Sequence, residues 1–138
     1  MWLTKPKTAG WLSKSTISNK IKQFGHLIAS HTNMLVQLSD EETLDIIKKN
    51  PKVMIMFFAN WCGSCRLFKP KFEKVSNKSE FSDITFLSLN AEDCPKMRKI
   101  SLVNALPFFA TYKNGELFES TATLREEHAV NLASSLMA

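Results

Sequence analysis

The apolar positions of this chain change period several times, and each change marks an expected element. Met34 to Leu38 reads as a first strand; Ser39 then caps a helix, with Glu42 completing a capping box and Leu44, Ile46 and Ile47 as its apolar face. Asn50-Pro51 ends that helix, because the residue before a proline is pushed out of the helical region. Val53 to Phe58 is apolar at every position, as expected for a central strand covered on both faces. A second helix follows, with Phe68, Phe72 and Val75 at i, i+4 and i+7, and Pro70 inside it removes a backbone donor and predicts a kink.

Ile84 to Leu89 is the next strand, and Pro95 is suited to the first position of a short helix from Lys96 to Ile100. Leu106-Pro107 precedes a strand from Phe108 to Tyr112, and Lys113-Asn114-Gly115-Glu116 reads as a hairpin turn into a strand from Leu117 to about Thr121. A last helix is expected from about Leu124 to Leu136, with Thr123 and Glu126 as a second capping box and Ala129, Val130, Ala133 and Leu136 facing inward. The order β-α-β-α-β-α-β-β-α predicts an α/β domain with a central mixed sheet and helices on both faces.

Residues before 34 differ in kind. Ile17, Ile21, Phe24 and Ile28 recur at helical spacing, with Lys20, Lys22 and His26 between them, which predicts a short basic amphipathic helix. The chain of 138 residues carries a net charge of +5, and its distribution matters more than its size. Residues 1 to 39 hold five lysines and no acid, while residues 40 to 138 hold 13 basic and 13 acidic residues. The 34–138 domain is therefore close to neutral, which argues against a nucleic-acid-binding face. An acid-free, Ser/Thr-rich, amphipathic stretch over 1–33 fits a mitochondrial transit peptide, although its cations are all lysine where such peptides favour arginine. A helix docked on the domain or on an anionic membrane, or a disordered tail in a cytoplasmic protein, are the alternatives. No secretory apolar core and no transmembrane run is present in the sequence.

The chemistry sits where the central strand meets the second helix. Trp61-Cys62-Gly63-Ser64-Cys65 places two sulfurs within bonding reach at a helix N-terminus, where unpaired N–H groups and the positive end of the helix dipole favour a thiolate. Cys62 is the candidate nucleophile and Cys65 the resolving cysteine; Gly63 and Ser64 keep the loop small. Half of a zinc site and a pair of inert buried thiols are the competing readings. Zinc generally needs four ligands, and Cys94, His26, His31 and His128 offer no second pair with metal-ligand spacing, so no metal is expected.

Residues 34 to 138 resemble the thioredoxin family. The features are Phe58-Ala59-Asn60-Trp61-Cys62-Gly63-Ser64-Cys65, Pro70 five residues after the second cysteine, Leu106-Pro107, and the Tyr112-Lys113-Asn114-Gly115-Glu116 hairpin. The resemblance implies a thioredoxin fold and a thiol–disulfide oxidoreductase that reduces disulfides in client proteins, drawing electrons from a reductase or another dithiol donor and needing no bound cofactor. It also implies that Pro107 is cis and faces the cysteines, that the backbone of Leu106 pairs with a substrate chain, and that the protein is a monomer.

Departures from the family pattern accompany these matches. Ser64 stands where the family usually has proline, Phe108 where it usually has threonine, and about Thr123 where it has a glycine. Phe108 and Thr123 line the family's docking groove, so an altered partner choice is expected. Met56 occupies the position of the buried aspartate that helps deprotonate the second cysteine, and Ser88 that of the neighbouring lysine. The dithiol thereby loses its nearby base. A disulfide oxidase or isomerase of the same fold, or a binding module with little turnover, are the alternatives these departures leave open. Cys94, beside Pro95, matches no catalytic position and reads as an exposed loop thiol that is either passive or redox-sensing or dimerising.

Overall fold

The computed structural model describes residues 35–138; the expected amphipathic helix and the 1–33 extension lie outside them. Five strands, β1 (Leu35–Val36), β2 (Lys52–Phe58), β3 (Thr85–Asn90), β4 (Phe108–Lys113) and β5 (Glu116–Ala122), form one sheet in the order β1-β3-β2-β4-β5. β1, β3 and β2 run parallel, whereas β4 and β5 are antiparallel to their neighbours. The helices are α1 (Asp40–Lys49), α2 (Gly63–Ser76), α3 (Pro95–Ile100) and α4 (Glu126–Met137), with a 3-10 turn at Ser79–Phe81. The expected α/β thioredoxin fold is thus the observed one.

Alternation along the strands sorts the side chains into two layers. Met54, Met56, Phe86 and Phe109 join Phe68, Phe72 and Val75 of α2 and Ala129, Leu132, Ala133 and Leu136 of α4 in one core cluster. Phe72 sits between Phe86 and Phe109, with ring centroids 5.7 and 5.5 Å away. The alternate residues Ile55, Phe57, Leu87, Leu89 and Phe108 are equally buried, as are Ile46 and Ile47 of α1 and Met97 of α3. Burial on both faces explains why β2 has no polar position between Val53 and Phe57.

Local signals were honoured where they close on themselves. The Ser39 hydroxyl accepts the Glu42 N–H at 3.1 Å and the Glu42 carboxylate accepts the Ser39 N–H at 2.9 Å, so the first capping box forms. Asn114 and Gly115, with φ of 52° and 87°, make the hairpin turn that Asn-Gly favours. α2 continues through Pro70 to Ser76.

Elsewhere longer-range contacts redirect the chain. β1 is shorter than the Met34 to Leu38 run, since Gln37 adopts φ 61° and leaves the strand conformation. The second capping box does not form. Helix α4 begins at Glu126 with Arg125 as its cap residue, and the Thr123 hydroxyl accepts the Arg125 N–H at 3.1 Å instead of capping the helix. The Glu126 carboxylate reaches across to Lys74 on α2, 3.5 Å away.

Candidate active site

β2 delivers the chain to the top of the sheet, and α2 starts at once. Cys62 is the cap residue of α2, with its sulfur where a serine or aspartate oxygen ordinarily sits: Sγ accepts the backbone N–H of Cys65 at 3.2 Å. Ser64 Oγ lies 3.5 Å from the same sulfur. Cys62 and Cys65 are joined as a disulfide, with their Cα atoms 5.3 Å apart. The first turn of α2 contains no acidic residue. Both sulfurs therefore sit on a helix N-terminus whose donors favour negative charge, with no carboxylate in that turn to oppose it.

Access differs between the two cysteines. Cys62 is 6% exposed and Cys65 2% exposed, so attack from solvent falls to Cys62. A Cβ placed on Gly63 would meet nothing within 4 Å, which leaves the approach beside Cys62 open. Trp61 is 68% exposed and is oriented by its indole N–H, which donates to a Glu92 carboxylate oxygen at 2.7 Å. The Leu106-Pro107 peptide bond is cis; Pro107 is buried and Leu106 is partly buried against the core that holds both cysteines.

A small cavity of about 150 Å³ lies at the disulfide, lined by Met56, Phe58, Ala59, Asn60, Cys62, Cys65, Arg66 and Lys69. Met56 is buried in this lining, and its β3 partner in the sheet is Ser88, whose buried hydroxyl has no hydrogen-bond partner among the described residues. Where the family pattern would put an ion pair, this chain has a thioether and a hydroxyl. Arg66 and Lys69, one and two turns after Cys62, are the charged groups of the lining.

Two expectations require correction. The Phe108 ring is 2% exposed and packs on Phe57, with centroids 6.4 Å apart, in the layer away from the cysteines. Adjacent residues of a strand point to opposite faces, so Phe109 and not Phe108 shares the core of the cysteines, and the Phe108 ring cannot line a docking surface. Cys94 is not an exposed loop thiol. It is fully buried, its S–H donates to the Leu38 carbonyl at 3.2 Å, and burial followed by the nearby Asp40 charge pushes its pKa from 9.0 up to about 12. Asp40 belongs to the same lock, accepting the backbone N–H groups of Lys96 at 3.1 Å and Met97 at 2.8 Å at the start of α3.

Sequence reasoning did not single out Glu92, Asn60, Arg66 or Lys69. Arg66 and Lys69 carried a readable signal, since Cys62 to Arg66 and Cys65 to Lys69 are each four residues apart on one helix. Glu92 carried none, because its bond to Trp61 spans 31 residues.

The thioredoxin family model matches residues 33–136. Thioredoxin-1 of Schizosaccharomyces pombe is 39% identical over 87 residues, which cover 62% of this chain and 82% of that protein. The mitochondrial Thioredoxin-3 of Saccharomyces cerevisiae is 30% identical over 89 residues, covering 64% of this chain and 68% of that one. In fold, the chain superposes on the Malassezia sympodialis thioredoxin with a TM-score of 0.70 at 22% identity, over 76% of this chain and 94% of that one. With a disulfide-forming cysteine pair capping a helix at the position those motifs require, the chain belongs to the thioredoxin family and is a thiol–disulfide oxidoreductase.

Proposed function

We propose that the protein works in the reducing direction on disulfides of partner proteins. The exchange chemistry rests on the Cys62 sulfur in the cap position of α2, accepting the Cys65 N–H at 3.2 Å with the partner sulfur bonded beside it, and the reducing direction is supported by the likeness to thioredoxins. In the reduced protein the Cys62 thiolate attacks one sulfur of a client disulfide. A Cys62–client bond forms, the client S–S bond breaks, and the other client sulfur leaves as a thiolate and takes a proton from water. Cys65, deprotonated, then attacks the Cys62 sulfur. The mixed disulfide breaks, the second client thiolate leaves, and the Cys62–Cys65 disulfide holds the two-electron oxidation that the client has lost.

Trp61 offers the client an apolar surface, and the Leu106 backbone beside Pro107 is the edge with which an extended client segment pairs. Because Met56 supplies no base, Cys65 gives its proton to solvent, and the resolving step is slower at neutral pH than in a protein with a carboxylate there. Electrons return from a flavoprotein reductase or another dithiol, and the protein acts as a monomer. The acid-free composition of residues 1 to 33 supports their serving as a mitochondrial transit peptide. A fluorescent fusion of the full chain that co-localises with mitochondria is the expected result, and a diffuse cytoplasmic signal counts against it.

The test of the reductase reading is capture. A Cys65→Ser variant, unable to resolve, should accumulate disulfide-linked client proteins from oxidised extract that dithiothreitol releases, and Cys62→Ser should capture none. Equal capture by both variants would refute the assignment of Cys62.

One observation favours the reverse direction: Arg66 and Lys69 line the cavity with no carboxylate among the lining residues, and cations that favour thiolates stabilise the reduced form. The reduction potential decides. A value near about −270 mV, that of thioredoxin itself, supports the reductase, and one above about −200 mV supports an oxidase or isomerase.

A further inference from the structure

The cavity beside the disulfide has a chemistry that the exchange reaction does not use. Its eight lining residues include two cations, Arg66 and Lys69, one amide, Asn60, and no carboxylate. Met56, which forms its buried wall, brings no internal counter-charge. Both cations are exposed, and among the described residues neither forms an ion pair; the α2 cation that does, Lys74, is held by Glu126. The Lys69 ammonium stands 5.8 Å from the centroid of the Phe58 ring, which lines the same cavity, so its charge is oriented along the wall. The volume of about 150 Å³ suits a side-chain carboxylate rather than a whole second molecule. Leu67, next to Arg66 in the chain, is an exposed apolar residue.

We propose that Arg66 and Lys69 form a carboxylate subsite that selects clients carrying an aspartate or glutamate next to the cystine under attack. The proposal rests on Cys62 being the attacking sulfur, and it adds a preference among clients. A carboxylate one or two residues from the client half-cystine reaches the cavity while its sulfur meets Cys62, and Asn60 has an amide N–H free in kind to serve as a third donor. The nearby carboxylates do not line the cavity: Glu92 is tied to Trp61 across the loop, and Glu42 and Asp93 line a neighbouring pocket on the far side of Phe58 and Asn60. A lysine at the same client position would meet two like charges.

The test compares two synthetic peptides, each with one intramolecular disulfide, identical except for glutamate or lysine beside the half-cystine. Capture by the Cys65→Ser variant of the full chain isolates the first step, while insulin turnover by the wild type reads the reductase assignment separately. Two partly exposed charge pairs should make capture of the glutamate peptide about tenfold faster at low ionic strength. The advantage should shrink toward unity in about 1 M salt, where the screening length falls to about 3 Å. Arg66→Gln with Lys69→Gln should equalise the peptides, and Arg66→Glu with Lys69→Glu should reverse the order. Lys74→Gln, farther along α2, should leave the preference intact. Equal rates for the two peptides with the wild-type cations, or a preference that survives both neutral replacements, would overturn the proposal whether or not insulin is turned over.

Discussion

Raising the pH to 10.5 should destabilise the protein through one buried thiol, and the size of the effect follows from its environment. Cys94 is fully buried, donates to the Leu38 carbonyl, and has its pKa pushed from 9.0 to about 12. A group whose folded pKa lies above its unfolded value contributes stability in full below the unfolded pKa and loses it as pH rises toward the folded one. The window is therefore about pH 9 to 12. At about 1.36 kcal/mol per unit, the loss is negligible at pH 7, about 2 kcal/mol by pH 10.5 and about 4 kcal/mol by pH 12.

The measurement is urea unfolding at pH 7 and pH 10.5, with and without Cys94→Ala. Both proteins should carry Cys62→Ser and Cys65→Ser, so that a Cys94 thiolate in the unfolded chain has no disulfide to exchange with. Cys94→Ala should cost about 1 kcal/mol at pH 7 through the lost S–H bond, and should then lose about 2 kcal/mol less than its parent on going to pH 10.5. The Tyr112 hydroxyl is also raised by burial, against the opposing bond from Ser101, and it contributes equally to both proteins. Equal losses in the two would show that the Cys94 thiol ionises freely in the folded state and would refute the reasoning. In the same vein, Cys94 in the folded protein should react with iodoacetamide at pH 7 about a thousandfold more slowly than an exposed thiol, since three units of pKa remove that much thiolate.

Two further substitutions probe the frame and the floor of the site. Asp40→Ala strips the acceptor from the Lys96 and Met97 N–H groups, and it should cost about 2–4 kcal/mol in denaturant unfolding while leaving the Cys62 alkylation rate unchanged. Met56→Asp places a carboxylate in the cavity wall beside Cys65; it should speed resolution of a mixed disulfide several-fold at pH 7, read in single-turnover kinetics, while lowering stability by about 2–4 kcal/mol. A slower resolving step in Met56→Asp would contradict the idea that resolution is limited by the missing base.

Much of this was legible in the sequence because the informative signals are local. The capping box at Ser39, the Asn114-Gly115 turn and the unbroken apolar run of β2 each describe an interaction within a few residues, and each forms as written. The Cys62–Cys65 spacing after a strand likewise fixes a helix cap and a pair of sulfurs without reference to the rest of the chain. What could not be read depends on partners far away in sequence. Cys94 looks like a surface thiol beside a proline until the Leu38 carbonyl, 56 residues earlier, covers it. Thr123 and Glu126 carry the letters of a capping box, yet the helix begins only at Glu126 with Arg125 as its cap residue, so Thr123 is left in a turn that accepts the Arg125 N–H. Phe108 reads as a groove residue from its neighbour Pro107, whereas the strand period turns its ring to the opposite layer.

The central claim is that this dithiol reduces disulfides in other proteins despite the methionine at position 56. The most direct measurement is the reduction of insulin by catalytic amounts of the full chain with dithiothreitol as electron source, from pH 6 to 9, beside Cys62→Ser. Turnover should exceed the dithiothreitol background at pH 7, rise with pH as Cys65 loses its proton without help, and be absent in the variant. A wild-type protein whose Cys62 alkylates readily but which never exceeds the background at any pH would contradict that claim.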